Sequence, residues 1–266
     1  MPIVYSEYVP DADALIKTAH IDDPDDRERF LELLQEAKTR PGAAVYEGRT
    51  IYAINGDGVT ISRTGETSTV AGANAGAAGT DADASASMDL DACPDLNANS
   101  DPNPGAVTFH SRPLSRLFKT GAAVYPYVAT CGPKMAEFGG SLTDVLEKYW
   151  WDVIMIDAVG QARNAMVKEI EQVAGYEPIS ANPGSIGMWP ISNQPALFSL
   201  IGDVEEMIGV TIAPSFLMRP LKSISGIYFQ GGGGFTHNCC LCERENCPNR
   251  RTPFDPTLKA ELENEM

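Results

Sequence analysis

The strongest periodicity in the chain lies in VLEKYWWDVIMIDAVGQARNAMVKEIEQVAG, where apolar side chains recur at Leu146, Trp150, Val153, Ile156, Val159, Met166, Ile170 and Val173. The spacing is close to the helical period and predicts one long helix. SLTD, Ser141 to Asp144, has the form of a capping box at its start, and Gly175 is the expected stop. A shorter acidic helix is predicted in DDPDDRERFLELLQEAKTR, with Leu31 and Leu34 on one face. A third is predicted from Gln194 to Met207, ending at Gly209, with Leu197, Leu200, Ile201, Val204 and Ile208 as its core face. AAVYEGRTIYAINGDGVTIS reads as two strands joined by a turn at Asn55, Gly56, Asp57 and Gly58. GAAVYPYVATCG reads as a buried strand, and VTIAPSFLM and SISGIYF as two more, separated by RPLK. Strands and helices mixed without regular alternation predict an α+β fold.

Between residues 65 and 105 the pattern stops. This stretch carries seven acidic residues and no basic or aromatic ones, so it cannot bury enough apolar surface to offset the entropy of ordering. It is expected to be an acidic, low-complexity insertion, disordered, with Cys93 in it incidental. Composition narrows the function classes. The formal charge of −16 repels nucleic-acid backbones and anionic membranes, so neither is expected as a partner. No apolar run approaches the ~20 residues of a membrane-spanning helix, and the acidic beginning lacks a signal pattern, which predicts a cytoplasmic protein.

In that reducing setting the cysteines carry the most chemical information. Four of the six fall within residues 239–247, and Cys239, Cys242 and Cys247 form C-x2-C-x4-C with Cys240 as an adjacent thiol. Such spacing lets several thiolates converge on one centre, which is expected to be an iron–sulfur cluster of the 4Fe-4S type, with structural zinc or free thiols as alternatives. The fourth ligand is left open between Cys240, Cys131 and His237. Arg244, Arg250 and Arg251 can offset the negative charge of a thiolate-held centre. The four glycines from Gly231 to Gly234 make a hinge that lets the tail swing or fold back over the domain. No other catalytic constellation competes: His20, His110 and His237 are scattered, and Trp150, Trp151 and Trp189 are more readily core residues than covers for a macrocycle.

The stretch ANPGSIGMWPISNQPALFSLIGDVEEMIGVTIAPSFLMRPLKSISGIYF, with the long helix before it, resembles the activation (reactivation) domain of vitamin B12-dependent methionine synthase. The matching elements are the turn at Pro183 and Gly184, Pro190, a helix ending in IGV, SFLMRP, and SISGIYF with Tyr228. The resemblance implies a bent mixed or antiparallel sheet flanked by helices, here with a Cys-rich tail. It divides the chain into an N-terminal part of the α+β domain (1–64), the insertion (65–105), an activation-domain-like core (106–230) and the Gly-hinged Cys-rich tail (231–266). It also implies a cobalamin or corrinoid on a partner methyltransferase or corrinoid protein, S-adenosylmethionine as a ligand, and Pro183, Gly184 and Tyr228 as cofactor-binding positions. The family's methyl-donor signature has an Arg just before the Pro-Gly and a Tyr after it. Residues 180–185 here read SANPGS, so both are missing, and no fixed positive charge meets a methionyl carboxylate there. Together the features predict a reductive activator that passes an electron from the tail's cluster to cobalt. The alternatives are a non-catalytic corrinoid-facing module with zinc, or S-adenosylmethionine-dependent reactivation of methionine synthase.

Overall fold

The computed structural model describes residues 2–62, 106–186, 189–232, 234–247 and 250–263. The predicted acidic insertion with Cys93, and Pro248 of the tail, lie outside the described residues. The strands are β1 (Ile3–Ser6), β2 (Gly42–Tyr46), β3 (Arg49–Asn55), β4 (Gly58–Ser62), β5 (Val107–His110), β6 (Ala123–Thr130), β7 (Pro178–Ala181), β8 (Thr211–Ile212), β9 (Met218–Arg219) and β10 (Ser223–Gln230). The helices are α1 (Ala12–Thr18), α2 (Pro24–Lys38), α3 (Arg112–Leu117), α4 (Pro133–Ser141), α5 (Val145–Ala174), α6 (Gln194–Ile201), α7 (Val204–Ile208) and α8 (Pro256–Glu263).

The sheet is built on β6. One edge of β6 takes β10 along its length, from Ser223 opposite Thr130 to Phe229 opposite Val124. Its other edge is shared: β2 pairs with Tyr127 to Thr130, and β3 pairs with Ala123 and Val124. The chain steps from β2 to β3 through Glu47 and Gly48, and Glu47 donates its N–H to the carbonyl of Pro126, which has no N–H of its own to pair. Outward from these lie β1 on β2, β4 on β3 with β5 on β4, and β7 on β10. Every pair is antiparallel, so of the two expected sheet types the antiparallel one holds.

β6 is covered on both faces, which explains its continuous apolar run. Tyr125, Tyr127 and Ala129 join the core under α5, while the alternate Val124 and Val128 face the clusters on the other side. α5 crosses the sheet so closely at β2 that a Cβ on Gly42 would meet the Thr130 carbonyl at 2.9 Å and the Ala162 Cβ at 3.2 Å. Gly42, Ala158 and Ala162 are therefore small because helix and sheet nearly touch there.

Several local expectations are revised. Asp144, not Ser141, caps α5, accepting from the N–H groups of Leu146 and Glu147, while Ser141 ends α4. The stop at Gly175, in a left-handed conformation, is as expected. In α2 the buried face is Phe30, Leu33, Leu34 and Ala37; Leu31 points to solvent. The third helix is two, because Gly202 breaks it and Asp203 recaps α7. VTIAPSFLM holds only the two short strands β8 and β9, paired as a hairpin. Trp150, Trp151 and Trp189 are all core residues. No helix among the described residues is long and apolar enough to cross a membrane.

Candidate functional site

The tail folds back rather than swinging free. Phe235 is buried against Phe229 of β10 with ring centroids 6.1 Å apart, and Leu241, Leu258 and Leu262 enter the same cluster as Trp189 and Ile227. The cysteine loop itself is held by Arg250. Its guanidinium donates to the carbonyls of Cys239 and Cys242, each at 3.2 Å, and to those of Arg244 and Thr252. Of the three arginines assigned to charge compensation, Arg250 is thus a staple of the loop, Arg251 lines a cavity and Arg244 is exposed.

That cavity, about 660 Å³, is bounded by α5, by the turn after β7, by β10 and by the start of the tail. It brings together residues predicted from two separate motifs: Pro183 and Gly184 from one wall, Cys239 and Cys242 from another. The turn is fixed by Gly184, whose φ of 77° a side chain would strain and whose N–H donates to the Trp189 carbonyl at 2.7 Å. Cys239, Cys242 and Cys247 are half-buried. Cys240 turns inward, its sulfur 3.3 Å from the Thr236 hydroxyl. Burial pushes the Cys240 thiol up, but hydrogen bonds from Thr236 and the backbone outweigh it, so the net direction is downward. Cys131 is fully buried in the core, does not line the cavity, and is pushed up to about 12 by burial. His237 lines the cavity, and its ring Nδ1 accepts from the Cys239 N–H at 3.1 Å. Burial first, then the charges of Arg251 and Arg163, lower its pKa. Among the described residues no three His, Cys, Asp or Glu side chains are gathered closely enough to hold one ion.

Tyr228 is not on the cavity wall. It stacks behind Tyr127, with centroids 4.4 Å apart, and Tyr127 is the ring that lines the space. Burial holds both phenols above their ordinary range.

Among the lining residues that sequence reasoning missed are Tyr127, Arg163, Asn182, Gln194 and Asn238. Asn182, seen only as the lack of a charge, ties the site together. Its amide donates to the Tyr127 hydroxyl at 2.8 Å and the Ser225 carbonyl at 2.6 Å, and its oxygen accepts from Asn238 at 2.6 Å. The signal was Gly226, where a Cβ would come within 2.5 Å of both the Ala181 carbonyl and the Asn182 amide. A second and larger cavity, about 800 Å³, lies between α4, α5 and the β9–β10 turn, and holds none of the predicted site residues.

No protein-family description and no curated protein matches the chain. Solved structures do match it. One is the crystal structure of the MetH reactivation domain bound to AdoHcy, with a TM-score of 0.52 and 15% identity over 85% of this chain and 67% of that one. The chain has the fold of the methionine synthase reactivation domain. At that identity the likeness is one of architecture, and it agrees with the resemblance carried by the 145–229 stretch. The Cys-rich tail, the Arg250 staple and the Asn182 network are properties of the residues present here.

Proposed function

We propose that the chain is a reductive activator for a cobalamin- or corrinoid-dependent methyltransferase or corrinoid protein, working through the cavity walled by the tail. The observation that carries this is the meeting of Cys239 and Cys242 with the Pro183–Gly184 turn around one space, in a fold of which one solved structure is bound to AdoHcy. The donor set suits a thiolate-held centre in kind: three half-buried thiols on one loop, the His237 imidazole beside them, and the Arg250 guanidinium on the loop's carbonyls. Cys239, Cys242 and Cys247 would hold an iron–sulfur cluster, with Cys240 or His237 as the further ligand; Cys131, in the core, is removed from consideration. When bound, such a cluster supplies single electrons, which the reduction of a partner's cobalt(II) to cobalt(I) consumes. An external one-electron reductant must replace each electron delivered. The chain's own residues fix the loop (Arg250), wall the space against the sheet (Asn182, Tyr127) and pack the tail over it (Phe235, Leu258). 

A second reading is favoured by one observation, that no three potential ligands are gathered among the described residues: a non-catalytic corrinoid-facing module whose thiols hold no metal, with structural zinc as the other alternative to a cluster. Purification without oxygen, an absorption spectrum, and counts of iron, sulfide and zinc separate the two. The activator requires iron with matching sulfide, lost in Cys242→Ala. Zinc alone, or neither metal, leaves only the binding module.

A further inference from the structure

The cavity's charge is opposite to that of the chain. The chain has 36 acidic residues against 20 Lys and Arg, yet Arg163 and Arg251 line the cavity and no Asp or Glu among the described residues does. The second observation concerns hydrogen bonding. The Nε of Arg163, the Oε1 of Gln194 and the Oδ1 of Asn238 are buried without partners, and all three residues line this cavity. Gln194 and Asn238 are only 4% and 8% exposed. Buried polar atoms without partners are uncommon and mark places completed by something else. The unmet set is one cationic donor and two amide acceptors.

We propose that the cavity is built for a small ligand carrying an anionic group, carboxylate or phosphate, together with N–H or O–H donors, and that it rejects a sulfonium cation. The anion pairs with Arg163 and Arg251, and the donors meet Gln194 and Asn238. S-adenosylmethionine does not fit this arrangement. Its sulfonium adds a positive charge where two guanidiniums already stand and no carboxylate offsets them. On this proposal the S-adenosyl ligand implied by the resemblance is taken as its uncharged thioether product rather than in its cationic, methyl-donating form. This inference rests on the cavity being the functional centre, and does not require the cluster.

Titration calorimetry with AdoHcy, S-adenosylmethionine and ADP tests it. The first two differ by one methyl group and one positive charge, and the third exchanges carboxylate for phosphate. The expected result is that AdoHcy or ADP binds, with S-adenosylmethionine weaker than AdoHcy by about 10-fold or more. Tighter ADP assigns the anion to phosphate, and tighter AdoHcy to carboxylate. Arg163→Gln, checked for folding by circular dichroism, is expected to weaken the anionic ligand and narrow the gap. Gln194→Met, which removes an acceptor and keeps the shape, is expected to weaken binding with the gap unchanged. Equal or tighter binding of S-adenosylmethionine, or no binding of any of the three, overturns the proposal. Repeating the titration with Cys247→Ala protein, which removes a proposed cluster ligand that does not line the cavity, separates it from the cluster: discrimination retained without iron leaves this inference standing where the electron-transfer reading has failed.

Discussion

At the scale of single residues, burial sorts the thiols. Cys131 is in the core with its thiol pushed up to about 12, and Cys240 is buried against Thr236, whereas Cys239, Cys242 and Cys247 are half-exposed. Alkylation with iodoacetamide in the metal-free native protein, read by peptide mass, is expected to modify the last three and spare the first two until urea is added. Early labelling of Cys131 or Cys240 would contradict the packing described. The same scale shows what sequence conveys about a site. Cys239, Cys242, Pro183 and Gly184 were legible because spacing and turn chemistry are local. Arg163 and Asn238 were not, because an arginine on a long helix and an asparagine between a His and a Cys look solvated until the fold sets them against one cavity. Tyr228 was legible as an aromatic on a strand, but which of two stacked tyrosines faces the cavity depends on the register of β10 against β6.

Among the elements, β10 couples the sheet to the cavity. Its Gly226 leaves room for Asn182 to lie across the strand and bond Tyr127 and Ser225. Gly226→Ala must displace either that side chain or the β7 carbonyl, since backbone and amide both stand at 2.5 Å. The expected cost is about 2–4 kcal/mol in urea unfolding, from the overpacking and the hydrogen bonds it displaces; a variant within about 0.5 kcal/mol of the wild type would contradict the close approach. Element types were largely readable. α5 and its Gly175 stop, the β3–β4 turn and β10 stand where periodicity and turn residues put them. The misses have physical causes. Ser141 and Asp144 are both good capping residues, and only the arrival of α4 assigns Ser141 to the preceding helix. Periodicity alone continued the third helix through Gly202, whose φ of 123° no helix accepts. Ile156 keeps the helical period of α5 but is exposed and lines the cavity instead of entering the core.

In the whole molecule, one sheet draws strands from residues 3–62 and 107–230, and the tail packs back onto it, so the cysteine loop is a wall of the domain. Sequence read a hinge in the four glycines and left open whether the tail would swing or fold. Phe235, Leu258 and Leu262 decide it, because their burial is recovered only against β10 and the Trp189 cluster. Thiols, guanidiniums and a backbone turn meet around one space, and the proposed function is that this space delivers an electron to a partner seated over it. The direct test is to mix the anaerobically purified, reduced protein with a cobalt(II) corrinoid protein and follow the cobalt by its visible spectrum. The account predicts conversion of cobalt(II) to cobalt(I) with the wild-type chain and none beyond the reductant-only background with Cys242→Ala. Equal rates with both proteins, or no reduction by either, would contradict it.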